Sequence, residues 1–300
     1  MELNQNTRRD IILLTQKKDD KMKRIITIQD ISCVGKCSLT VALPIISAMG
    51  IECAVLPTSV LSTHTMFKNF TFRDLTDDIA PIAAHWKAEK IGFDAIYTGY
   101  LGSFKQLKLI SGFIDEFRTP ENLVFIDPVM ADNGKLYPGF TPEFAHAMAQ
   151  LCAKADVIVP NLTEAAFLLD LTYKGDGYTE TYIKDLLKRL AELGAKNTVL
   201  TGISFSPNEL GVMGYNAEKD EFFDYFHRRI HVSFHGTGDI FSSTAAGALV
   251  RGLSLEKALA LAADYTVACI ARTMESPDHV QYGVEFERMI PMLVERIKAE

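Results

Sequence analysis

The sequence predicts an α/β fold, in which a central, mostly parallel sheet is flanked by helices on both faces and carries an antiparallel hairpin at one edge. Three observations lead there. Short β-rich runs alternate with longer segments of helical spacing, and right-handed crossovers turn that alternation into parallel strands. Two runs, "ELGVMGYN" (209–216) and "EFFDYFH" (221–227), face each other across a polar turn, as an antiparallel pair at a sheet edge does. After "SFHGTGDIFSS" (233–243) the spacing is helical to the end of the chain.

The first strand is "RIITIQ" (24–29), rich in β-branched residues. Helical spacing follows over 38–49, then the strand "IECAVLP" (51–57) and a helix over 75–90. "DAIYTG" (94–99), "NLVFID" (122–127), "DVIVP" (156–160) and "NTVLTG" (197–202) continue the strands. Helices are expected between them at 104–117, 141–153, 163–170 and 179–194, and after the hairpin at 239–251, 255–273 and 284–298. Residues 24–300 show no Pro/Gly/Ser linker and no repeat, and read as a single domain. Residues 1–23, with the unpatterned "TQKKDDKMK", read as a mobile tail.

Composition narrows the function. The chain has 300 residues, 48% of them hydrophobic, enough for a substantial core. Its formal charge of −7 is spread along the chain, which excludes a basic nucleic-acid footprint. No apolar run approaches the roughly 20 residues that cross a bilayer, and no secretory h-region is seen, so a cytoplasmic protein is expected. Among five cysteines only Cys33 and Cys37 are close, with no second pair to complete a zinc site, so they read as reduced thiols.

In a parallel α/β sheet, ligands bind outside the carboxyl ends of the strands. Asp30 is read just after the first strand and "STHT" (62–65) after the second. "GYLGS" (99–103), "DPVMADNGKLY" (127–137), "PNLTEA" (160–165) and "TGIS" (201–204) follow the next four. Gly236, Thr237 and Gly238 lack bulk and open a helix, whose free N–H groups and positive dipole end favour a phosphate. Asp239 repels a phosphate, but it can take a proton from a hydroxyl that attacks a phosphoryl group. The small residues from Ser242 to Ala248 let that helix pack close to the sheet.

"HGTGD" before a small-residue helix, together with "PNLTEA", resembles the ribokinase-like kinases. "GYLGS", "DPVMADNGKLY" and "STHT" are closer still to the pyridoxal/pyridoxamine kinases among them. The resemblance runs from about residue 24 to the C-terminus. It implies ATP-dependent phosphorylation of the 5′-hydroxymethyl group of a B6 vitamer, with Mg²⁺, often a monovalent cation such as K⁺, and commonly a homodimer. Carried over by position, Asp239 is the base, and Gly236, Thr237 and Gly238 form the anion hole. Asp127 and Glu164 act on Mg²⁺ and the ATP phosphates. Asn161 and Thr201 line the nucleotide side, and Met130 to Tyr137 cover ATP. Asp30, Thr65 and Tyr100 face the substrate. Asp30 departs from the pattern, since many such kinases have serine there; an acid could meet the ring nitrogen, the 3-hydroxyl or the amine of pyridoxamine.

Two alternatives stay open: a hydroxymethylpyrimidine kinase of the same fold, and a nucleotide-binding regulator without catalysis. Two are excluded. "DISCVGKCS" has Asp30 where a Walker A loop needs glycine, and the first βα turn lacks the GxGxxG of a dinucleotide-binding fold.

Overall fold

β1 (Arg24–Ser32) lies deep in the sheet and pairs in parallel with β2 (Glu52–Leu61) on one side and β4 (Ala95–Thr98) on the other. The computed structural model describes residues 21–299, so most of the expected N-terminal tail lies outside the described residues. From β4 the parallel pairing passes to β5 (Leu123–Ile126), β8 (Val157–Ile158) and β9 (Asn197–Ile203). β10 (Glu209–Asn216) and β11 (Glu221–Arg228) extend this edge antiparallel, as their facing patterns predict. Among the described residues the sheet has nine strands in the order β11-β10-β9-β8-β5-β4-β1-β2-β3, with β3 (Phe72–Asp74) at the far edge.

Alternation along the strands divides the core between two faces. Ile26 and Ile28 point to the layer formed by α2 (Thr76–Ala88), α3 (Phe104–Phe117), α4 (Pro142–Cys152), α5 (Leu162–Leu168) and α6 (Glu180–Glu192). Ile25 points to the other layer, made by α1 (Leu39–Ala48), α7 (Thr237–Val250), α8 (Leu255–Met274) and α9 (Ile290–Ala299). All of Ser242–Ala248 is buried. A β-carbon on Gly247 would lie 2.6 Å from Met49 Sδ, which is why α7 keeps small residues against α1.

Several expectations need correction. Asp30 lies inside β1, at a register shift between Gln29 and Ile31, and not beyond the strand. A strand unseen in the sequence, β3 (Phe72–Asp74), pairs antiparallel with β2. The 130–137 segment is not plain loop: β6 (Ala131–Asp132) and β7 (Lys135–Leu136) form a small hairpin. Its turn residues, Asn133 and Gly134, have φ 49° and 76°, the paired positive values of a tight hairpin turn. The expected final helix divides into a 3₁₀ turn (Phe286–Met289) and α9. No helix is long and apolar enough to cross a membrane among the described residues.

Candidate active site

The glycine turn is built by backbone constraints. Gly236 is the N-cap of α7 with φ 76°, and a β-carbon there would lie 1.8 Å from the Lys36 carbonyl oxygen. Only glycine fits both the left-handed backbone and that approach. The first bond of α7 runs from the Ile240 N–H to the Gly236 carbonyl at 3.1 Å, so the N–H groups of Thr237, Gly238 and Asp239 have no acceptor within the helix. The Thr237 hydroxyl donates to the Phe234 carbonyl (3.3 Å). A β-carbon on Gly238 would meet nothing within 4 Å, so this glycine leaves open the space in front of those donors.

Four acids gather at the carboxyl ends of the strands. Asp239 is partly exposed, yet desolvation pushes its pKa up to about 7; Asp127 and Asp30 add repulsion, and the Ser38 N–H counters it. Asp127, directly after β5, is buried and pushed up to about 6 by desolvation, against one hydrogen bond from the Ser242 hydroxyl (2.7 Å). Glu164 is buried and held well above the usual carboxylate range, first by desolvation and then by the Asp127 charge. Its oxygens accept from the Met130 N–H (3.1 Å) and the Asn161 N–H (2.9 Å). Asp30 is buried, with its pKa raised by desolvation. Among the described residues none of the four has a cationic partner. At the opposite end of the sheet Asp156 pairs with Arg118 (2.7 Å) and Lys196 (2.9 Å), and Asp94 with Lys23 (3.1 Å). An unpaired acid cluster is unfavourable on its own and suits a cationic ligand.

The expected nucleotide-side residues gather around the same acids. Asn161 caps α5, accepting from the Thr163 (2.8 Å) and Glu164 (2.9 Å) N–H groups, while Glu164 reaches back to complete a capping box. Thr163 accepts from the Gly134 N–H through its hydroxyl (3.0 Å) and so ties the small hairpin to α5. Thr201 forms a parallel bridge with Asn161. The Tyr137 hydroxyl is pushed up by desolvation and then by the charges of Glu164, Asp132, Asp127 and Asp239.

Of the residues expected on the substrate side, Tyr100 has its pKa raised by desolvation and then by the Asp30 charge. The Tyr100 ring also packs on Phe140, with centroids 5.6 Å apart. Thr65 is exposed and its hydroxyl makes no hydrogen bond with the described residues. The residue of that loop turned toward the glycine turn is His64, whose ring lies 4.6 Å from that of His235.

Sequence reasoning missed Ser242, His64, His235 and Ser38. Ser242 had a signal, since it falls three residues after Asp239 on the same face of α7. The others depend on loops brought together by folding. All five cysteines are free, and no group of three or more His, Cys, Asp or Glu side chains able to hold a metal occurs among the described residues.

Comparison with known proteins shows the family. A phosphomethylpyrimidine kinase family model matches residues 43–283. A crystal structure from Bacteroides thetaiotaomicron, assigned to the phosphomethylpyrimidine kinases and determined with pyridoxal, is 40% identical, with a TM-score of 0.86 over 91% of this chain and 96% of that one. The pyridoxal kinase of Lactobacillus plantarum is 30% identical, with a TM-score of 0.84 over 93% and 99%. The pyridoxine/pyridoxal/pyridoxamine kinase of Bordetella avium is 26% identical over 83% of this chain and 85% of its own length. The chain belongs to the phosphomethylpyrimidine kinase family, on the side of its pyridoxal kinases, and has their ribokinase-like fold.

Proposed function

We propose that the protein is an ATP-dependent kinase that phosphorylates the 5′-hydroxymethyl group of pyridoxal, pyridoxamine and pyridoxine, that is, an ATP:pyridoxal 5′-phosphotransferase. The observation that carries this is Asp239, a carboxylate with no cationic partner among the described residues and a pKa pushed up to about 7, set beside three N–H groups with no intrahelical acceptor. Asp239 takes the proton of the 5′-hydroxyl as its oxygen attacks the γ-phosphorus of ATP. The bond to the bridging oxygen breaks, and ADP leaves with that electron pair. The N–H groups at the start of α7 hold the charge that builds on the transferred oxygens. A base with a pKa near neutrality both ionises and accepts a proton efficiently at physiological pH.

The donor set fits Mg²⁺. Asp127 offers a carboxylate engaged by a single hydroxyl, whereas both Glu164 oxygens already accept backbone N–H groups. Asp127 would hold the ion, with Glu164 acting through water. A hard cation held by one or two carboxylates takes its remaining ligands from water and phosphate oxygens. Bound there, it neutralises phosphate charge. The 131–136 hairpin, tied to α5 through the Gly134–Thr163 bond, would cover the nucleotide and exclude water.

The test is an ATP-dependent phosphorylation assay with the three B6 vitamers and hydroxymethylpyrimidine as competing alcohols. The vitamers should turn over with the higher efficiency. Preference for hydroxymethylpyrimidine would move the chain to the pyrimidine kinases that name its family. Asp239→Asn keeps the turn and should lower turnover by about 10²–10⁴, with the KM for ATP little changed. Near wild-type turnover in that variant would remove Asp239 as the base.

A further inference from the structure

Ser38 breaks two local rules at once. Its backbone sits at φ 50°, ψ −132°, a region that glycine enters freely and that other residues adopt at a cost. It is also the N-cap of α1, where a serine hydroxyl ordinarily accepts from the first turn, yet it makes no such bond. The hydroxyl instead donates to Asp30 Oδ1 at 2.6 Å.

The surrounding chain fixes this conformation from several sides. The Cys33 N–H donates to the Leu61 carbonyl (2.8 Å), and the His64 N–H to the Val34 carbonyl (2.8 Å). The Thr40 hydroxyl bonds the Gly35 (2.9 Å) and Cys37 (2.7 Å) carbonyls. Lys36 is anchored to Glu287 (2.6 Å), and its carbonyl packs on Gly236. Strain held this firmly, with the hydroxyl committed to a buried acid, points to a task other than starting a helix.

We propose that Ser38 is a positioning residue: its hydroxyl, donating to Asp30 Oδ1, aims that carboxylate at the heteroaromatic alcohol. This rests on the reading of Asp239 as base and Asp30 as substrate-side acid. The hydroxyl therefore acts through Asp30.

Ser38→Ala, Ser38→Gly and Asp30→Ser, singly and with Ser38→Ala/Asp30→Ser combined, test it with all three vitamers. Ser38→Ala should lower kcat/KM for the preferred vitamer roughly ten- to a hundredfold, the worth of a hydrogen bond to a charged group, while the KM for ATP stays put. Ser38→Gly should show the same loss without melting below Ser38→Ala, because glycine accepts the backbone. In the Asp30→Ser background, Ser38→Ala should add little. Wild-type efficiencies in Ser38→Ala would overturn the proposal, as would losses that multiply in full or a KM for ATP that rises in step. A loss in Ser38→Ala with none in Asp30→Ser overturns the link through Asp30. Asp239→Asn, measured alongside, separates the two claims. If it is inactive while Ser38→Ala is normal, only the role of Ser38 fails; if it is active, the base assignment fails.

Discussion

Gly236 and Gly238 stand two residues apart and answer to different demands. Gly236 is required by the fold, because its φ is 76° and a β-carbon would run into the Lys36 carbonyl. Gly236→Ala should therefore destabilise the protein by more than the roughly 1–2 kcal/mol of a left-handed alanine. Gly238 meets nothing, and alanine is the better helix former by up to about 1 kcal/mol. Gly238→Ala should melt at or above the wild-type temperature, yet lose most of its turnover, because the methyl group occupies the approach to the N–H donors. Thermal melts and kcat on both variants check this; a fully active Gly238→Ala would mean that no phosphoryl oxygen comes there. Asp239 adds a pH signature. With its pKa near 7, kcat/KM should rise as pH increases through about 7 and then level off, as the base ionises. An efficiency already flat from pH 5 upward would show a different group in control.

At the scale of elements, the sequence was most readable where a run is long and one-sided. β10 and β11 occupy the expected residues to within one position, and α3 occupies 104–117 as its spacing predicts. β3, β6 and β7 are two or three residues long, too short to show a period of two, and escaped notice. The β6–β7 turn, however, carries the Asn-Gly pair of a two-residue hairpin, which was legible as chemistry and was passed over. That hairpin gives the next prediction. Gly134 has φ 76°, a β-carbon on it would come 2.7 Å from Tyr173 Cδ1, and its N–H binds the Thr163 hydroxyl. Gly134→Ala should shift the hairpin and Tyr137 with it, without opening the core. A cost of about 1–2 kcal/mol at a left-handed position corresponds to roughly a tenfold rise in the KM for ATP, with vitamer KM values unchanged. Equal rises in both would mean that the hairpin does not distinguish the two substrates.

Among the described residues, Asp30, Asp127, Glu164 and Asp239 at the carboxyl ends of the strands have no cationic partner, whereas Asp94 and Asp156 at the amino ends do. Sequence position told that Asp127, Glu164 and Asp239 would share one rim, since each follows a strand or opens a helix there. It could not tell that Asp30 would be drawn into β1 or that Ser38 and Ser242 would be the groups facing these acids, because those contacts depend on a strand bulge, an unusual backbone angle and helix packing. The arrangement has a thermodynamic consequence. Desolvation raises the pKa values of Asp30, Asp127, Glu164 and Asp239, so the folded protein binds these protons more tightly than the unfolded chain. Their contribution to stability is complete below about pH 4, the ordinary carboxylate range, and is lost as pH rises through about 6 for Asp127 and about 7 for Asp239. Asp127→Asn removes one such charge, and its amide oxygen still accepts from Ser242. Without divalent metal at pH 8, this variant should be more stable than wild type by on the order of 1–3 kcal/mol, or several °C in Tm for a chain of this size. At pH 4 the two should melt together. Mg²⁺ with nucleotide should raise the wild-type Tm and leave Asp127→Asn nearly unmoved, because the charge that would hold the ion is gone. A variant that melts below wild type at pH 8 would mean that Asp127 is held by compensating contacts and that the rim carries no strain for a cation to relieve.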